Sequence, residues 1–278
     1  MDDSTTEQDI SAREALLRAW FTQGCDRVQG VVDGLDIGWG SVQRWATARM
    51  PPPAAMHLDM ACGYATFLAQ LGWRFPEARL VGLNIDFEGP HALARPLLSE
   101  AGVVAALVQG DARRMPFADE TFGSVSCFLG LQDIEIGFGL EGVRAAAAEA
   151  VRVLKPGGAL TLLDQYPVEE IDRLMAGAPV ELVDAAERAL DVRWDRPVAE
   201  RAVALYAEGY VAQARAGGRG ERERIYGQAY GQMAAQMERQ LATQGYYVPF
   251  GPVHMIVLRK TGENEGSGGG DESGGTSG

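Results

Sequence analysis

The segment His57–Thr66 combines a carboxylate, small residues and a glycine at the point where an apolar run gives way to an amphipathic stretch. Gly63, with the small residues Ala61 and Ala65 on either side, would let a ligand approach the backbone closely. Asp59 places a carboxylate beside this turn. The dinucleotide pattern G-x-G-x-x-G is absent, since only one of its glycines occurs, so a cofactor without phosphates suits the turn better. Taken alone, the segment is equally compatible with a tight turn that only packs.

Polar residues recur after the next apolar runs of the chain. Asn84 and Asp86 follow the second run, and Asn84 lies 21 residues beyond Gly63, where a ribose-binding side chain is expected in such folds. Both residues offer oxygen acceptors for hydroxyl groups. Asp111 follows the third run and can accept a hydrogen bond from an exocyclic amino group such as that of adenine. The turn Lys155-Pro156-Gly157-Gly158 leads into a fifth run.

Three further residues are candidates for acid–base chemistry. Asp133 and Glu135 follow the fourth apolar run, and Tyr166 follows the fifth. Either carboxylate could take a proton from an acceptor or bind a cationic one, and Tyr166 could orient it. Each residue is also compatible with a structural role, as a helix cap, a solvated loop acid or a packing tyrosine.

Apolar runs that alternate with amphipathic stretches predict βαβ units and a doubly wound, mostly parallel sheet, so this is an α/β fold. Polar residues at strand ends would then share the carboxyl edge of the sheet, where ligands bind. The predicted helices cover 66–73, 90–101 and 140–154. The predicted strands are Met56–Met60, Arg79–Leu83, Val103–Val108, Phe122–Leu129 and Ala159–Leu163, with Tyr246–Phe250 and His254–Arg259 as a closing hairpin that makes seven.

The rest of the chain divides by composition. We expect a disordered N-terminus over 1–9, a helical segment over 10–53 whose first helix runs from Ser11 to about Gln23, and the α/β core over 54–166. A helical lid is predicted over 167–244, the hairpin over 245–261, and a disordered acidic Gly/Ser tail over 262–278. In the lid, Tyr206 with Tyr210 and Tyr226 with Tyr230 are spaced i, i+4, as in a wall for an aromatic substrate or in packing against the sheet.

Composition restricts the partners. The formal net charge is −13, and eight of these charges lie in the two tails, so the body is mildly acidic and nucleic acid is not an expected partner. The sequence contains no run of about 18 apolar residues, so no membrane-spanning helix is expected. The three cysteines lack C-x-x-C spacing and the three histidines lack metal-ligand spacing, so we expect neither disulfides nor a metal. A cytoplasmic location is expected, and no oligomeric state is indicated.

The turn at 57–66, Asn84 and Asp86, Asp111, and the Lys-Pro-Gly-Gly turn, in this order, resemble the class I S-adenosylmethionine (SAM)-dependent methyltransferase family over residues 54–166. The closest resemblance is to its small-molecule group (methyltransferase type 11/25-like), which includes quinone and natural-product enzymes. The resemblance implies a Rossmann-like seven-stranded sheet and SAM as the cofactor. Two positions depart from the family: its Gly-x-Gly is Ala61-Cys62-Gly63 here, and its ribose-binding acid is Asn84.

The resemblance also implies roles for individual residues. Asp59, Ala61 and Gly63 would line the methionine part of the cofactor. Asn84 would meet the ribose hydroxyl groups, with Asp86 sharing or replacing that contact. Cys62 and Ile85 are also expected among the cofactor-binding residues. Asp111 and Ala112 would meet the adenine, and Phe128 and Leu129 would pass under the cofactor.

The implied activity is methyl transfer to an oxygen, nitrogen or carbon atom of a small molecule such as a quinone, phenol, amine or natural product. Two alternatives stay open at this point. One is a catalytically silent methyltransferase-like subunit that binds a partner. The other is a nicotinamide-dependent oxidoreductase on a related sheet, against which the missing G-x-G-x-x-G counts.

Overall fold

The computed structural model describes residues 7–24, 40–53, 55–190, 192–213 and 217–262. Seven strands form one sheet in the order β3-β2-β1-β4-β5-β7-β6. Strands β1 to β5 pair in parallel, and β7 runs antiparallel between β5 and β6. The strands are β1 (Met56–Met60), β2 (Arg79–Asn84), β3 (Ala105–Gln109), β4 (Phe122–Phe128), β5 (Leu154–Asp164), β6 (Val180–Arg188) and β7 (Val253–Lys260). The predicted doubly wound α/β fold is confirmed.

Helices cover both faces of the sheet. They are α1 (Glu7–Gly24), α2 (40–49), α3 (Thr66–Arg74), α4 (Ala94–Glu100), α5 (Gly130–Val153), α6 (Val168–Leu174), α7 (Arg196–Gln213) and α8 (Arg219–Gln244), with a 3-10 turn at Gly89–Leu93. Side chains that alternate along each strand enter two hydrophobic clusters, one on each face. Leu80 and Leu163 pack with α1–α4, α7 and α8, whereas Val81 and Leu162 pack with α5 and α6. No helix among the described residues is long and apolar enough to cross a membrane.

The sixth strand corrects the predicted lid and hairpin. Val180–Arg188 lies inside the predicted helical lid, yet it pairs with β7 along its length. Tyr246–Phe250 is not a strand of the sheet; Tyr247 instead exchanges two backbone hydrogen bonds of 2.9 Å with Trp194. The predicted hairpin over 245–261 is therefore wrong. A single strand, β7, closes the sheet between β5 and β6 because the chain returns to it from the lid.

Element boundaries also differ from the sequence-based expectation, most clearly at α1, β5 and α5. Helix α1 begins at Glu7, so residues 7–9 are helical rather than disordered. Strand β5 begins at Leu154 and includes the Lys-Pro-Gly-Gly segment, which had been predicted as a turn. Helix α5 begins at Gly130 rather than Leu140, with an interruption at Gly139, where φ is 67° and ψ is −177°. The disorder predicted for 1–6 and 263–278 concerns residues outside those that the structure describes.

Candidate active site

A cleft of about 360 Å³ opens at the carboxyl edge of the sheet, where the parallel strands end. We call it the edge cleft. It brings together eight residues that the sequence singled out, from four separate segments: Ala61, Gly63, Asn84, Ile85, Asp86, Asp111, Ala112 and Asp133. Its other lining residues are Leu83, His91, Gly110, Gly130, Ile134, Gly137, Phe138 and Ala212. Parallel topology explains the convergence, because the ends of all parallel strands lie at the same edge.

The turn between β1 and α3 presents backbone to the edge cleft. Ala61, Gly63 and Ala65 take left-handed φ values of 55°, 50° and 65°. The N–H of Cys62 donates to the carbonyl of Leu83 at 3.0 Å and so ties the turn to the end of β2. A β-carbon on Gly63 would meet nothing within 4 Å. The space in front of Gly63 is therefore open to a ligand, whereas the two alanines hold a backbone conformation that favours glycine.

Asn84 holds the turn in place from the neighbouring strand. Its side-chain oxygen accepts a hydrogen bond of 3.2 Å from the N–H of Gly63. Its side-chain nitrogen donates to the carbonyl of Asp86 at 2.7 Å, and the residue is only 6% exposed. Both ends of the amide are thus engaged within the protein, which indicates a bracing role for Asn84.

Asp86 presents a carboxylate at the edge cleft, with 43% of its side chain exposed. One carboxylate oxygen lies 3.0 Å from Nδ1 of His91, and that imidazole makes a T-shaped contact with the ring of Tyr64, with 5.5 Å between ring centroids. Sequence reasoning did not assign His91 to the site. No local signal marks it, because the 3-10 turn at Gly89–Leu93 is what returns it to the carboxylate.

Asp111 and Ala112 reach the edge cleft as expected, but Asp111 carries a partner. The Arg113 guanidinium binds its carboxylate through both oxygens, with Nη2 at 2.6 Å from Oδ2 and Nε at 3.0 Å from Oδ1. The same guanidinium lies 3.4 Å from the ring centroid of Phe138, in a cation–π contact. A ligand amino group at Asp111 would have to share the carboxylate with Arg113.

A chain of buried polar groups connects β1 with β4 beneath the turn. The Ser126 hydroxyl donates to Oδ1 of Asp59 at 2.6 Å. Because its one hydrogen is used there, Ser126 accepts from Nε2 of His57 at 2.9 Å, and Nδ1 of His57 accepts from the Ser124 hydroxyl at 2.8 Å. Burial lowers the pKa of His57 to about 3 and raises the pKa of Asp59 to about 7.

Asp59 lies one layer below the edge cleft rather than in its wall. The residue is 1% exposed, and its second oxygen, Oδ2, is buried without a hydrogen-bond partner among the residues that the structure describes. Burial of the carboxylate away from water accounts for the raised pKa, and the unpaired oxygen adds to the cost of the charged form.

The other predicted cofactor residues, Cys62, Phe128 and Leu129, are not among the lining residues of the edge cleft. The Cys62 thiol is buried, and burial raises its pKa well above the ordinary value, so it is a packing group and not a thiolate. Phe128 stacks on Phe67, with 5.1 Å between ring centroids. Leu129 has a left-handed φ of 57°, and its N–H donates to the carbonyl of Leu163 at 2.8 Å. The chain thereby turns sharply from β4 into α5.

A carboxylate from the adjacent strand caps the start of α5. Oδ2 of Asp164 accepts from the N–H of Leu131 at 3.0 Å, and Oδ1 accepts from the N–H of Gln165 at 2.8 Å. Negative charge at a helix N-terminus is favourable, although burial raises the pKa of Asp164 to about 7. The cap fixes the position from which Asp133 reaches the edge cleft.

The three predicted acid–base residues are divided by α5. Asp133 lines the edge cleft. Glu135 and Tyr166 line a different groove, which also contains Arg144 and Arg173, and the Tyr166 hydroxyl donates to the Glu135 carboxylate. Burial and this carboxylate raise the pKa of Tyr166. Of the three, only Asp133 is placed against the edge cleft.

A second cavity, the lid groove, lies between α5, α7 and α8. Its volume is about 310 Å³, and its walls are Ile136, Tyr210, Ile225, Gln228, Ala229, Gln232 and Met233. The two tyrosines of α7 have different surroundings: Tyr206 packs against Trp194 and Phe250, whereas Tyr210 faces the groove. On α8, Tyr226 and Tyr230 stack on each other with 5.7 Å between centroids.

The charge of the edge cleft is negative. Asp86, Asp111 and Asp133 are among its lining residues, and no Lys or Arg is. Such a surface suits a ligand with positive charge and disfavours a pyrophosphate, which needs donors or cations. Within the described part of the chain, no three His, Cys, Asp or Glu side chains are grouped so that they could hold a metal ion.

Comparisons with known proteins agree with this arrangement. Residues 58–162 match the family model described as a methyltransferase domain. The demethylmenaquinone methyltransferase of Roseiflexus castenholzii is 33% identical over 147 residues, which cover 52% of this chain and 56% of that protein. The fatty-acid O-methyltransferase of Mycolicibacterium smegmatis is 28% identical over 137 residues, 48% of this chain and 46% of that protein.

A solved structure extends the likeness beyond the core. The crystal structure of a putative methyltransferase from Bacillus halodurans C-125 covers 80% of this chain and 98% of its own, with a TM-score of 0.54 and 17% identity. This likeness concerns the fold. The chain spans about half the length of the curated relatives it matches.

Proposed function

We propose that this chain, whose α/β domain belongs to the class I SAM-dependent methyltransferase family, transfers a methyl group from SAM to an oxygen, nitrogen or carbon atom of a small molecule. The observation that carries the proposal is the edge cleft. An open backbone turn, an exposed carboxylate and two small or apolar residues, Ile85 and Ala112, converge there at the carboxyl edge of a parallel sheet.

The residues present fit SAM. The backbone at Ala61–Gly63 would hold the amino-acid part, because the space in front of Gly63 is open, with nothing within 4 Å of a β-carbon position. Asp86 would accept hydrogen bonds from the ribose hydroxyls while Asn84 braces the turn. Ile85 and Ala112 would contact the adenine, with Asp111 and Arg113 at its edge. SAM supplies a methyl group that its sulfonium centre already activates.

The chain therefore has to bind, align and exclude water rather than generate a strong nucleophile. Helix α7 reaches the edge cleft through Ala212 and contributes to its cover. Asp133, at the start of α5, is the carboxylate placed to take a proton from an acceptor or to hold a cationic one. Glu135 and Tyr166 are hydrogen-bonded to each other on the far side of α5. We propose that this contact positions α5 and that neither residue touches the acceptor.

The relatives named above point to apolar acceptors, a demethylmenaquinone in one and a fatty acid in the other. We extend to this chain only the shared property, an acceptor with a large apolar part. The acidic lining of the edge cleft argues against the nicotinamide alternative, since a dinucleotide would bring two phosphates to Asp86 and Asp133, and the guanidinium of Arg113 is already paired with Asp111.

Thermal shift tests the proposal directly. The purified protein is heated with S-adenosylhomocysteine, SAM, NAD or NADP, and we expect stabilisation by the first two only. A ligand that binds the native state stabilises it by about 2.7 kcal/mol at a hundredfold excess over its Kd. Stabilisation by NAD or NADP, or by none of the four, would contradict the proposal.

A matched pair of variants locates the site. Gly63→Arg places a long side chain in the edge cleft and should abolish the shift with S-adenosylhomocysteine. Gly102→Arg is the control, because Gly102 also has a positive φ, of 67°, and open space around its β-carbon position, but lies after α4. An equal shift in both variants would place the ligand elsewhere.

A further inference from the structure

The lid groove and the edge cleft share two helices. Helix α5 gives Asp133 and Ile134 to the edge cleft and Ile136 to the lid groove. Helix α7 likewise gives Ala212 to the cleft and Tyr210 to the groove. The two cavities therefore adjoin along α5 and α7, and a molecule in the groove would lie beside whatever occupies the cleft.

The lining of the lid groove is apolar with neutral polar groups. Ile136, Ile225 and Met233 supply apolar surface. Gln228 and Gln232 add side-chain amides, and no charged side chain lines the groove. Such a wall binds a ring or chain by burial of apolar area and orients it through a few hydrogen bonds.

The surroundings of Tyr210 are acidic. Burial raises the pKa of Tyr210, and the carboxylates of Asp133 and Glu135 raise it further. Of the basic side chains, Arg113 is paired with Asp111 of the edge cleft, and Arg144 lines the separate groove with Glu135. An anionic group that extended from the lid groove towards the edge cleft would approach the carboxylate of Asp133, and neither lining contains a Lys or Arg.

We propose that the lid groove binds the methyl acceptor, and that this acceptor is an apolar ring compound that presents a hydrogen-bond donor, a hydroxyl or an amino group, towards Asp133 and is not a carboxylate. The inference rests on the proposed function and narrows its substrate class. A donor would be accepted by Asp133, whereas a carboxylate would be repelled by it. Specificity would then depend on Tyr210 for the ring and on Asp133 for the reactive end.

Calorimetry with three ring-matched probes tests the inference. The full chain is first saturated with S-adenosylhomocysteine and then titrated with 2-naphthol, 2-(aminomethyl)naphthalene or 2-naphthoate at pH 7.5. We expect 2-naphthol or the amine to bind at least about tenfold more tightly than 2-naphthoate. The better of the two shows whether Asp133 receives a neutral donor or a cation. Equal or tighter binding of 2-naphthoate would overturn the inference, as would no binding of any probe.

Variants assign the contact to the groove. Tyr210→Ala should weaken the binding of the preferred probe by about tenfold, since the groove loses an aromatic side chain. Tyr230→Ala is the control, because Tyr230 is similarly exposed, 36% against 38%, but does not line the groove. Asp133→Asn should reduce the ratio of the affinity for the preferred probe to the affinity for 2-naphthoate by at least about threefold. Equal effects of the two tyrosine variants would overturn the inference.

The readouts separate this inference from the function on which it rests. S-adenosylhomocysteine binding is measured first in every variant. If S-adenosylhomocysteine binds but the probes show one of the contradicting results given above, the proposed acceptor site is wrong and the cofactor assignment stands. If it does not bind to the wild-type chain, the proposed function itself is wrong and the acceptor site is withdrawn with it.

Discussion

Asp59→Asn should remove a large part of the pH dependence of folding stability. Burial raises the pKa of Asp59 from 3.8 to about 7 in the folded state. A shift of this size corresponds to about 4 kcal/mol. Since the folded pKa is the raised one, the stability that Asp59 contributes is fully present below its unfolded pKa and is lost as the pH rises through 7. About 3 kcal/mol of that loss falls between pH 5 and pH 8.

The variant keeps the size of the side chain but cannot ionise, so it should not show this loss. We therefore expect the free energy of unfolding of Asp59→Asn, relative to wild type, to rise by about 3 kcal/mol from pH 5 to pH 8. Any pH-independent change in packing cancels in this comparison. His57, whose pKa is lowered to about 3, contributes a slope of the opposite sign. That slope occurs in both proteins and also cancels.

Urea denaturation at constant ionic strength, at four pH values from 5 to 8, measures the effect. Asp172→Asn is the matched control, because Asp172 is an exposed carboxylate of α6. The free energy of unfolding of Asp172→Asn should change with pH in the same way as that of wild type, over the whole range. If the Asp59→Asn and wild-type curves are also parallel, the Asp59 carboxylate is not held in a dry, unpaired environment, and the account of the buried polar chain is refuted.

Two further predictions concern the edge cleft. Gly130→Ala should lower the free energy of unfolding, measured by urea denaturation, by about 1–3 kcal/mol, because the new β-carbon would lie 2.6 Å from Cβ of Ala61. Gly137→Ala is the control, because a β-carbon there would meet nothing within 4 Å. An equal loss of stability in both variants would contradict the packing argument. Asp86→Ala should weaken S-adenosylhomocysteine binding about tenfold in calorimetry at nearly unchanged Tm, whereas Asn84→Ala should lower Tm as well, since it unbraces the turn. A larger binding loss for Asn84→Ala at unchanged Tm would return the ribose contact to Asn84.

The carboxyl edge of the sheet was predictable from the sequence because strand burial is a local signal. β1 and β4 are buried on both faces, and short buried strands that alternate with helices are typical of parallel sheets. Once the sheet is parallel, Gly63, Asn84 and Asp111 must meet at one edge, whatever the details of their loops. Eight predicted residues therefore line one cleft.

β6 was missed for the opposite reason. It is an edge strand whose residues are mostly exposed, and Glu181, Asp184 and Glu187 break the apolar alternation that marks a strand. Its partner, β7, begins more than 60 residues later, after two long helices. Nothing local distinguishes such a segment from a solvated helix, because its pairing is supplied by a distant part of the chain.

The side-chain pairs of the site could not be predicted for a related reason. The spacing that places Asp111 at the cleft says nothing of Arg113, whose guanidinium turns back onto the same carboxylate. Glu135 and Tyr166 come from different elements, and their contact takes both away from the edge cleft. Residue type and strand end thus predict which groups arrive at an edge, but packing decides which of them are already engaged with each other.

The buried polar chain shows where register, rather than composition, determines chemistry. His57 and Asp59 are two residues apart on β1, so both face away from Leu58 and Met60 and towards the layer that contains α3. In the parallel register, His57 lies opposite Ser124 and Asp59 opposite Ser126. A register shift of one residue would set both polar side chains against apolar neighbours. The match therefore favours one pairing of β1 with β4, and the turn at Ala61–Ala65 begins directly from the strand that this pairing fixes.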